Sequence, residues 1–270
     1  MTANTNGNFY GIGVGPGADG LITVQAAEVL QNCQVILCPK ANRAKNSVAK
    51  DSIAALNLPA ERFQIVEYDM EEDRQEAFKT YKKLAAEIVN TIKEGKNVAY
   101  LTIGDALTYS TYGYTLTALK ALDPNLSITT IPGITSFSLL AALSGYPLGQ
   151  GKERLLILPC PEQASDLKQD IESHDLVILM KIGRRLPMVL ELLHEMDIAR
   201  HCVLGSRLGL PTQFIETAEN LEAGEKGYLS TMLIRKTAPV SPWLHLNQEA
   251  ETCRTETASN EDPQLEAIQR

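Results

Sequence analysis

The sequence predicts an α/β protein built from two α/β domains with mainly parallel mixed sheets. Three observations predict this class. Short apolar, β-branched runs recur along most of the chain, helical periods lie between them, and glycine-bearing turns follow several of the runs. At 270 residues the chain can bury a large core. The break Asp123-Pro124-Asn125 sets the expected boundary: residues 1–122 form an N-terminal α/β domain, residues 127–236 a C-terminal one, and residues 237–270 an acidic tail. Two such halves are expected to enclose a ligand cleft beyond the carboxyl ends of their strands.

The first run, Phe9 to Val14, reads as a strand that ends in the loop Gly11-Ile12-Gly13-Val14-Gly15-Pro16-Gly17. Glycines let backbone groups come close to a bound molecule, and Pro16 stiffens the turn. Thr23 is the expected N-cap of a helix over Val24 to Gln31, with Val24, Ala27 and Leu30 on one side. The spacing Gly13-x-Gly15-x-x-Ala18 also fits a loose dinucleotide fingerprint. Against that, the second run, Val35 to Cys38, ends in Pro39-Lys40 and lacks the acid that binds a ribose. A purely structural tight turn is the other reading of the same residues.

Further strands are expected at Phe63 to Tyr68, Val98 to Ile103, Ile128 to Ile131, Leu155 to Pro159, Leu176 to Met180, Cys202 to Leu204, Phe214 to Glu216 and Tyr228 to Arg235. The clearest helical period runs from Glu71 to Lys93, with Phe78, Tyr81, Leu84, Ala85, Ile88 and Ile92 on one stripe. Past Leu246 the chain has few apolar residues and no period. From Thr237 onward six acids stand against Arg254 and Arg270, so this tail reads as disordered and solvated.

A formal charge of −8 argues against general nucleic-acid binding. No apolar run reaches the roughly 20 residues of a membrane helix, and Met1 to Asn8 lacks the regions of a signal peptide, so a cytoplasmic location is expected. Cys33, Cys38, Cys160, Cys202 and Cys253 show no C-x-x-C spacing and read as reduced, mostly buried residues. His174, His194, His201 and His245 lie far apart, and no metal site is expected.

Three motifs sit at expected strand ends: the first glycine loop, Ile103-Gly104-Asp105-Ala106-Leu107-Thr108-Tyr109-Ser110-Thr111-Tyr112, and Ile131-Pro132-Gly133-Ile134-Thr135-Ser136-Phe137. Together they resemble the tetrapyrrole methylases, the class III S-adenosylmethionine-dependent methyltransferases, over roughly Phe9 to Lys236. Two positions depart from the family pattern: Ala18 precedes Asp19 in the first loop, and Ala106 stands where the second motif usually has proline. The stretch from Gly104 to Thr111 most resembles the branch that methylates precorrin-2 or cobalt-precorrin-2 at C20.

The resemblance implies a homodimer that holds S-adenosylmethionine between its two α/β halves, largely through backbone groups. It points to Pro16, then Ile103, Gly104, Asp105 and Thr108, then Thr135 and Ser136, with Met180 beside the adenine and Gly209 and Thr231 as further contacts. Read as residues alone, Met180 is a core filler and Thr135 and Ser136 form a helix N-cap. Methyl transfer needs alignment and dryness more than a protein nucleophile, because the electron-rich ring carbon attacks by itself. A base must then remove a proton, for which Asp105 is the candidate, while Tyr109 and Tyr112 orient the ring or relay the proton. The competing reading of Asp105 is a carboxylate that caps backbone N–H groups or holds the cofactor. Carboxylates on the tetrapyrrole rim call for cations: Lys40, Arg43, Lys45 and Lys50 after the second strand and Arg184-Arg185 after Met180, then Lys152 and Arg154. The same charges read otherwise as a solvated face. Another corrin-ring or uroporphyrinogen methyltransferase, a non-catalytic tetrapyrrole carrier and a nicotinamide-dependent oxidoreductase are the alternatives.

Overall fold

The computed structural model describes residues 6–18, 20–42, 44–68, 74–222, 227 and 229–237. They form two compact units, one holding residues through Leu139 together with Arg207–Phe214, the other Leu140–Ser206 and the residues from Ile215 on. The expected break is present as the end of a helix at Leu122 followed by a turn. The strand after it, however, pairs within the first sheet, so the compact units divide at 139/140 instead of 122–127. Expectations for the tail and those for Asp19 and Arg43 fall outside the described residues.

In the first unit β1 (Phe9–Gly13), β2 (Val35–Ala41), β3 (Phe63–Tyr68), β4 (Val98–Thr102) and β5 (Ile128–Ile131) form one sheet in the order β3-β2-β4-β1-β5. Every pair is parallel, which requires crossovers that cover both faces. The strands show this two-sided burial. On β4, Val98 and Tyr100 pack with Phe9 and Leu119, whereas Ala99 and Leu101 pack with Ile12 and Leu30. Helix α1 (Val24–Gln31) lies on the Leu101 face, and α3 (Arg74–Lys93) and α4 (Tyr112–Leu122) lie on the Tyr100 face. The short α2 (Val48–Asp51) joins the α1 side through Ala49.

Thr23 caps α1, its hydroxyl accepting the Ala26 N–H at 3.2 Å. The apolar stripe differs from expectation: Ala26 and Leu30 are buried, while Val24 is 75% exposed. Val24 is the first residue of the helix, on the exposed side of its first turn. On α3 the stripe Tyr81, Leu84, Ala85, Ile88 and Ile92 is buried with Val89, but Phe78 is exposed and its ring carries the Lys82 ammonium at 4.7 Å.

Strand β1 leads through α1 to β2, and β4 leads through α4 to β5, on opposite faces of the sheet. Since β1 and β4 are neighbours, the order switches between them. A crevice opens beyond the carboxyl ends of strands at such a point.

The second unit contains β6 (Leu155–Pro159), β7 (Leu176–Met180), β8 (Cys202–Ser206), β9 (Phe214–Thr217) and β10 (Ser230–Arg235), in the order β6-β7-β10-β8-β9. This sheet is mixed: β6 runs parallel to β7, and β10 is inserted antiparallel to both β7 and β8. All six residues of β10 are buried, as a central strand requires. Helices α6 (Ala164–Ser173) and α7 (Leu186–Glu195) contribute Leu167, Ile171, Val189 and Leu193 to the interior. Helix α5 (Ser136–Ser144) carries the chain across the division between the units. Cys33, Cys38, Cys160 and Cys202 are free and buried, as expected for them.

Candidate functional site

At the carboxyl ends of β4, β1 and β5 the three motif loops are tied to one another. Gly15 and Gly104 exchange both backbone hydrogen bonds, Gly15 N–H to Gly104 O at 3.1 Å and Gly104 N–H to Gly15 O at 2.6 Å. The Val14 N–H donates to Thr102 O at 2.9 Å and extends the seam inward. Gly104 reaches this position with φ +74°, a left-handed conformation that glycine adopts without strain. A β-carbon there would find no atom nearer than Ile134 O at 3.9 Å, so this side of the loop stays open to a ligand.

The third loop is held by a carboxylate. Asp105 Oδ1 accepts the Leu107 N–H at 3.0 Å and the Thr108 hydroxyl at 2.9 Å, and Oδ2 accepts the Gly133 N–H at 3.1 Å. Contact between the loops is so close that side chains have no room. A β-carbon on Gly133 would lie 2.1 Å from Gly104 O, and one on Gly13 would lie 2.6 Å from Gly133 N. The segment Arg207–Phe214, which belongs to this unit, packs on the first loop in the same way. A β-carbon on Gly209 would meet Ala18 N at 2.4 Å, and the Gly209 N–H donates to Gln213 Oε1 at 2.8 Å.

Pro16, Ile103, Gly104, Asp105, Thr108, Thr135, Ser136 and Gly209 therefore all belong to the first unit. Thr135 is the N-cap of α5: its Oγ1 accepts the Ser138 N–H at 3.3 Å, and its C=O accepts the Leu139 N–H. Met180 and Thr231 come together in the second unit as cross-strand partners on β7 and β10. Met180 is half-buried at the end of its strand, and its C=O accepts the Cys160 N–H at 2.7 Å. Gly183, just beyond, approaches Gly227 so closely that a β-carbon on Gly227 would lie 1.9 Å from Gly183 O.

The tyrosines separate into two kinds. Tyr109 is 43% exposed and holds φ +51°, a strained conformation for a residue with a side chain. Tyr112 is fully buried instead. Its ring stacks on Phe9 in the space that Gly11 leaves, its hydroxyl lies 2.6 Å from Thr130 Oγ1, and burial pushes its pKa up. The expectation that Tyr112 handles substrate is corrected: its position on α4 points the side chain under the sheet, into the core.

The candidate cations belong to both units. Lys40 pairs across the strands with Glu67 at 2.7 Å, so its charge is already matched, and the Lys50 ammonium sits 4.9 Å from the Phe63 ring centroid. Lys45 is exposed in the first unit, and Arg184 is exposed in the second. Arg185 pairs with Glu162 and donates to Lys181 O. Arg154 donates to Ser173 O, and Lys152 is exposed.

Sequence reading did not find the Gly15–Gly104 seam or the Asp105–Gly133 bond. The signal was present in outline: glycines placed just past the ends of three strands that turn out to be neighbours. What it lacked was the strand order, which sets which loops touch.

This arrangement offers a small molecule backbone N–H and C=O groups, hydroxyls and an open glycine face. It suits a small ligand held mainly by main-chain contacts. A solved structure of the cobalt precorrin-4 methyltransferase CbiF shares the fold, with a TM-score of 0.64 at 19% identity over 87% of this chain and 96% of that one. The cobalt-precorrin-2 C(20)-methyltransferase of Salmonella typhimurium is 26% identical over 233 residues, 86% of this chain and 97% of the relative. A precorrin-2 C(20)-methyltransferase from a Sinorhizobium species is 31% identical over 195 residues, 68% of this chain and 76% of the relative. The model of one family, the tetrapyrrole (corrin/porphyrin) methylases, matches residues 8–222, and the chain belongs to that family.

Proposed function

We propose that this protein transfers one methyl group from S-adenosylmethionine to C20 of precorrin-2 or cobalt-precorrin-2, a step of cobalamin biosynthesis. The observation that carries the reading is the joining of three motif loops at the switch point of the first sheet, in a chain whose relatives bear that activity in their names. The donor supplies an electrophilic methyl group on a sulfonium. Pro16, Ile103, Gly104, Thr108, Thr135, Ser136 and Gly209 are the residues proposed to hold it, and Met180 and Thr231 are further contacts that the family resemblance implies. Their task is to fix direction and exclude water, since an in-line displacement is sensitive to small errors of alignment.

A carboxylate offers about four acceptor positions, and Asp105 uses three of them within the loops. Asp105 is thus a brace first, with one position left to accept a proton from the methylated ring. Tyr109, exposed on the same loop, orients the ring. Arg43, Lys45 and Arg184 meet its carboxylates, and Lys40 joins them only by releasing Glu67. The proposal includes a cytoplasmic homodimer, an expectation of the family that sedimentation and cell fractionation test. Among the described residues no helix is long and apolar enough to cross a membrane.

The test is an anaerobic reaction of the purified protein with S-adenosylmethionine and either precorrin-2 or cobalt-precorrin-2, followed by mass spectrometry and NMR. A product one methyl heavier, with the new carbon at C20, is the expected result, and the faster substrate tells whether the ring is metallated. A methyl at another carbon overturns the regiochemistry. Tight binding of both ligands with no transfer turns the protein into a carrier.

A further inference from the structure

Beneath the second motif loop lies a cluster of hydroxyls that the proposed chemistry does not use. Tyr100, on β4, is fully buried, and its hydroxyl donates to Tyr68 Oη at 3.0 Å. The same oxygen lies 2.8 Å from Thr111 Oγ1. A phenol has one proton, so with that proton on Tyr68, Thr111 is the donor to Tyr100. Thr115, also fully buried, donates its hydroxyl to Thr111 O at 3.4 Å.

Thr111 stands at the N-cap of α4, where a threonine hydroxyl ordinarily accepts a backbone N–H of the first turn. It makes no such bond, and its φ of −71° and ψ of −19° are helical rather than extended. The hydroxyl is committed to Tyr100 instead. Residues 104–111 are therefore fastened at both ends, by Asp105 to Gly133 at the start and by Thr111 to Tyr100 at the finish. Between the two, the Ser110 hydroxyl donates to Ala106 O, and Tyr109 is held in its left-handed conformation. Tyr68 reaches one step further: its C=O accepts the Asn42 N–H at 3.0 Å, in the basic segment between Lys40 and Lys45.

We propose that Tyr100 and Tyr68 are positioning residues, which set the geometry of the loop over residues 104–111 through Thr111 and tie it to the basic segment through Asn42. This rests on the reading that the loop holds the methyl donor. Phenylalanine and valine would fill the same space without burying hydroxyls, and a fully satisfied polar network in an apolar core fixes one arrangement where apolar packing allows several. Burial raises both phenols above their ordinary pKa, Tyr100 the more so, which suits residues that hold a position and do not carry protons.

The experiment uses the full chain carrying Tyr100→Phe, Thr111→Val or Thr111→Ser, folded by circular dichroism and kept well below its unfolding temperature. Calorimetric titration with S-adenosylmethionine and with S-adenosylhomocysteine gives the affinities, and steady-state kinetics give kcat and both KM values. Tyr100→Phe and Thr111→Val should each weaken donor affinity about tenfold, with Thr111→Ser within twofold of the parent. The KM for the tetrapyrrole should move less than that for the donor. Folded variants that bind the donor as the parent does overturn the inference, as do equal losses in Thr111→Val and Thr111→Ser. A parent that binds no donor overturns the underlying reading instead. Should Tyr100→Phe fail to fold, Thr111→Val breaks the same bond from the helix end.

Discussion

The loop cluster of the first unit and the end of β10 in the second are both places where distant segments are tied, and they are tied by different means. In the loop cluster the ties are main-chain: the Gly15–Gly104 exchange is made by two glycines with positive φ, and at Gly13 and Gly133 the loops touch where a side chain has no room. At the end of β10 the tie is a side chain. Arg235, only 4% exposed, donates to both Glu153 carboxylate oxygens at 2.6 and 2.8 Å and to Pro147 O at 2.9 Å. It also lies 5.5 Å from the centroid of the Tyr146 ring. A main-chain tie demands glycine and leaves an open polar surface suited to a ligand. A side-chain tie fills its own space and suits a place whose work is stability.

Adding one methyl group to the first region is the most severe way to break this comparison. Gly133→Ala places a carbon among the backbone atoms of Gly13 and Gly104, none of which yields without opening the seam. The expected cost is about 3 kcal/mol of stability or more, with loss of measurable donor binding, read by thermal unfolding and calorimetry. Gly113→Ala is its counterpart in α4, where a β-carbon meets nothing, and it should be neutral or slightly stabilising.

The second region breaks next. Arg235→Met removes the buried member of a bidentate pair whose carboxylate partner is 27% exposed, and should cost about 2 kcal/mol of stability through the lost charged hydrogen bonds while leaving donor affinity unchanged. The sign with pH follows from Glu153, whose carboxyl Arg235 holds below its ordinary pKa through the hydrogen bonds. A depressed carboxyl contributes stability that is fully present above the unfolded-state pKa and is lost as pH falls through the lower native one. Acid unfolding of the parent should therefore steepen across that interval, and Glu153→Gln should flatten it.

The same contrast explains what could be read from the chain beforehand. Glycines 11, 13, 15, 104 and 133 are visible as residues, and the three motif loops and nearly every strand were legible from them and from the apolar runs. The expected boundary failed at β5 because a strand's partner depends on pairing with β1, which no local pattern encodes. Antiparallel β10 was hidden for the same reason, since a buried central strand reads alike in either direction. Side-chain ties are the least legible of all: nothing local marks Arg235 as belonging to Glu153, or Asp105 to Gly133. Tyr112 was misread because a tyrosine beside a motif looks functional until its helix is placed under the sheet.

Asp105 is where the two kinds of tie meet, a side chain that serves main-chain groups. Asp105→Asn keeps size and hydrogen-bonding shape but replaces one acceptor oxygen with a donor, so one of the three N–H and O–H partners must face another hydrogen. The expected loss is about 1–2 kcal/mol in stability and about tenfold in donor affinity, by calorimetry. If donor affinity is untouched while kcat falls, proton acceptance and not bracing is its chief task.

The smallest effect is expected where a motif tyrosine proves to be core. Tyr112→Phe keeps the ring against Phe9 and removes only the hydroxyl beside Thr130. One neutral hydrogen bond is worth about 1 kcal/mol, and that should be the whole change in unfolding, with kcat and both KM values within twofold of the parent. A tyrosine that relayed a proton would instead lose turnover and reshape the pH profile when its hydroxyl is removed. Phenylalanine at 109 supplies the other half of the measurement. Tyr109 is exposed on the strained loop, so its replacement should alter the KM for the tetrapyrrole and leave stability almost unmoved. Opposite responses at two tyrosines three residues apart would show that burial, and not proximity to a motif, decides which side chains of this loop meet the substrate.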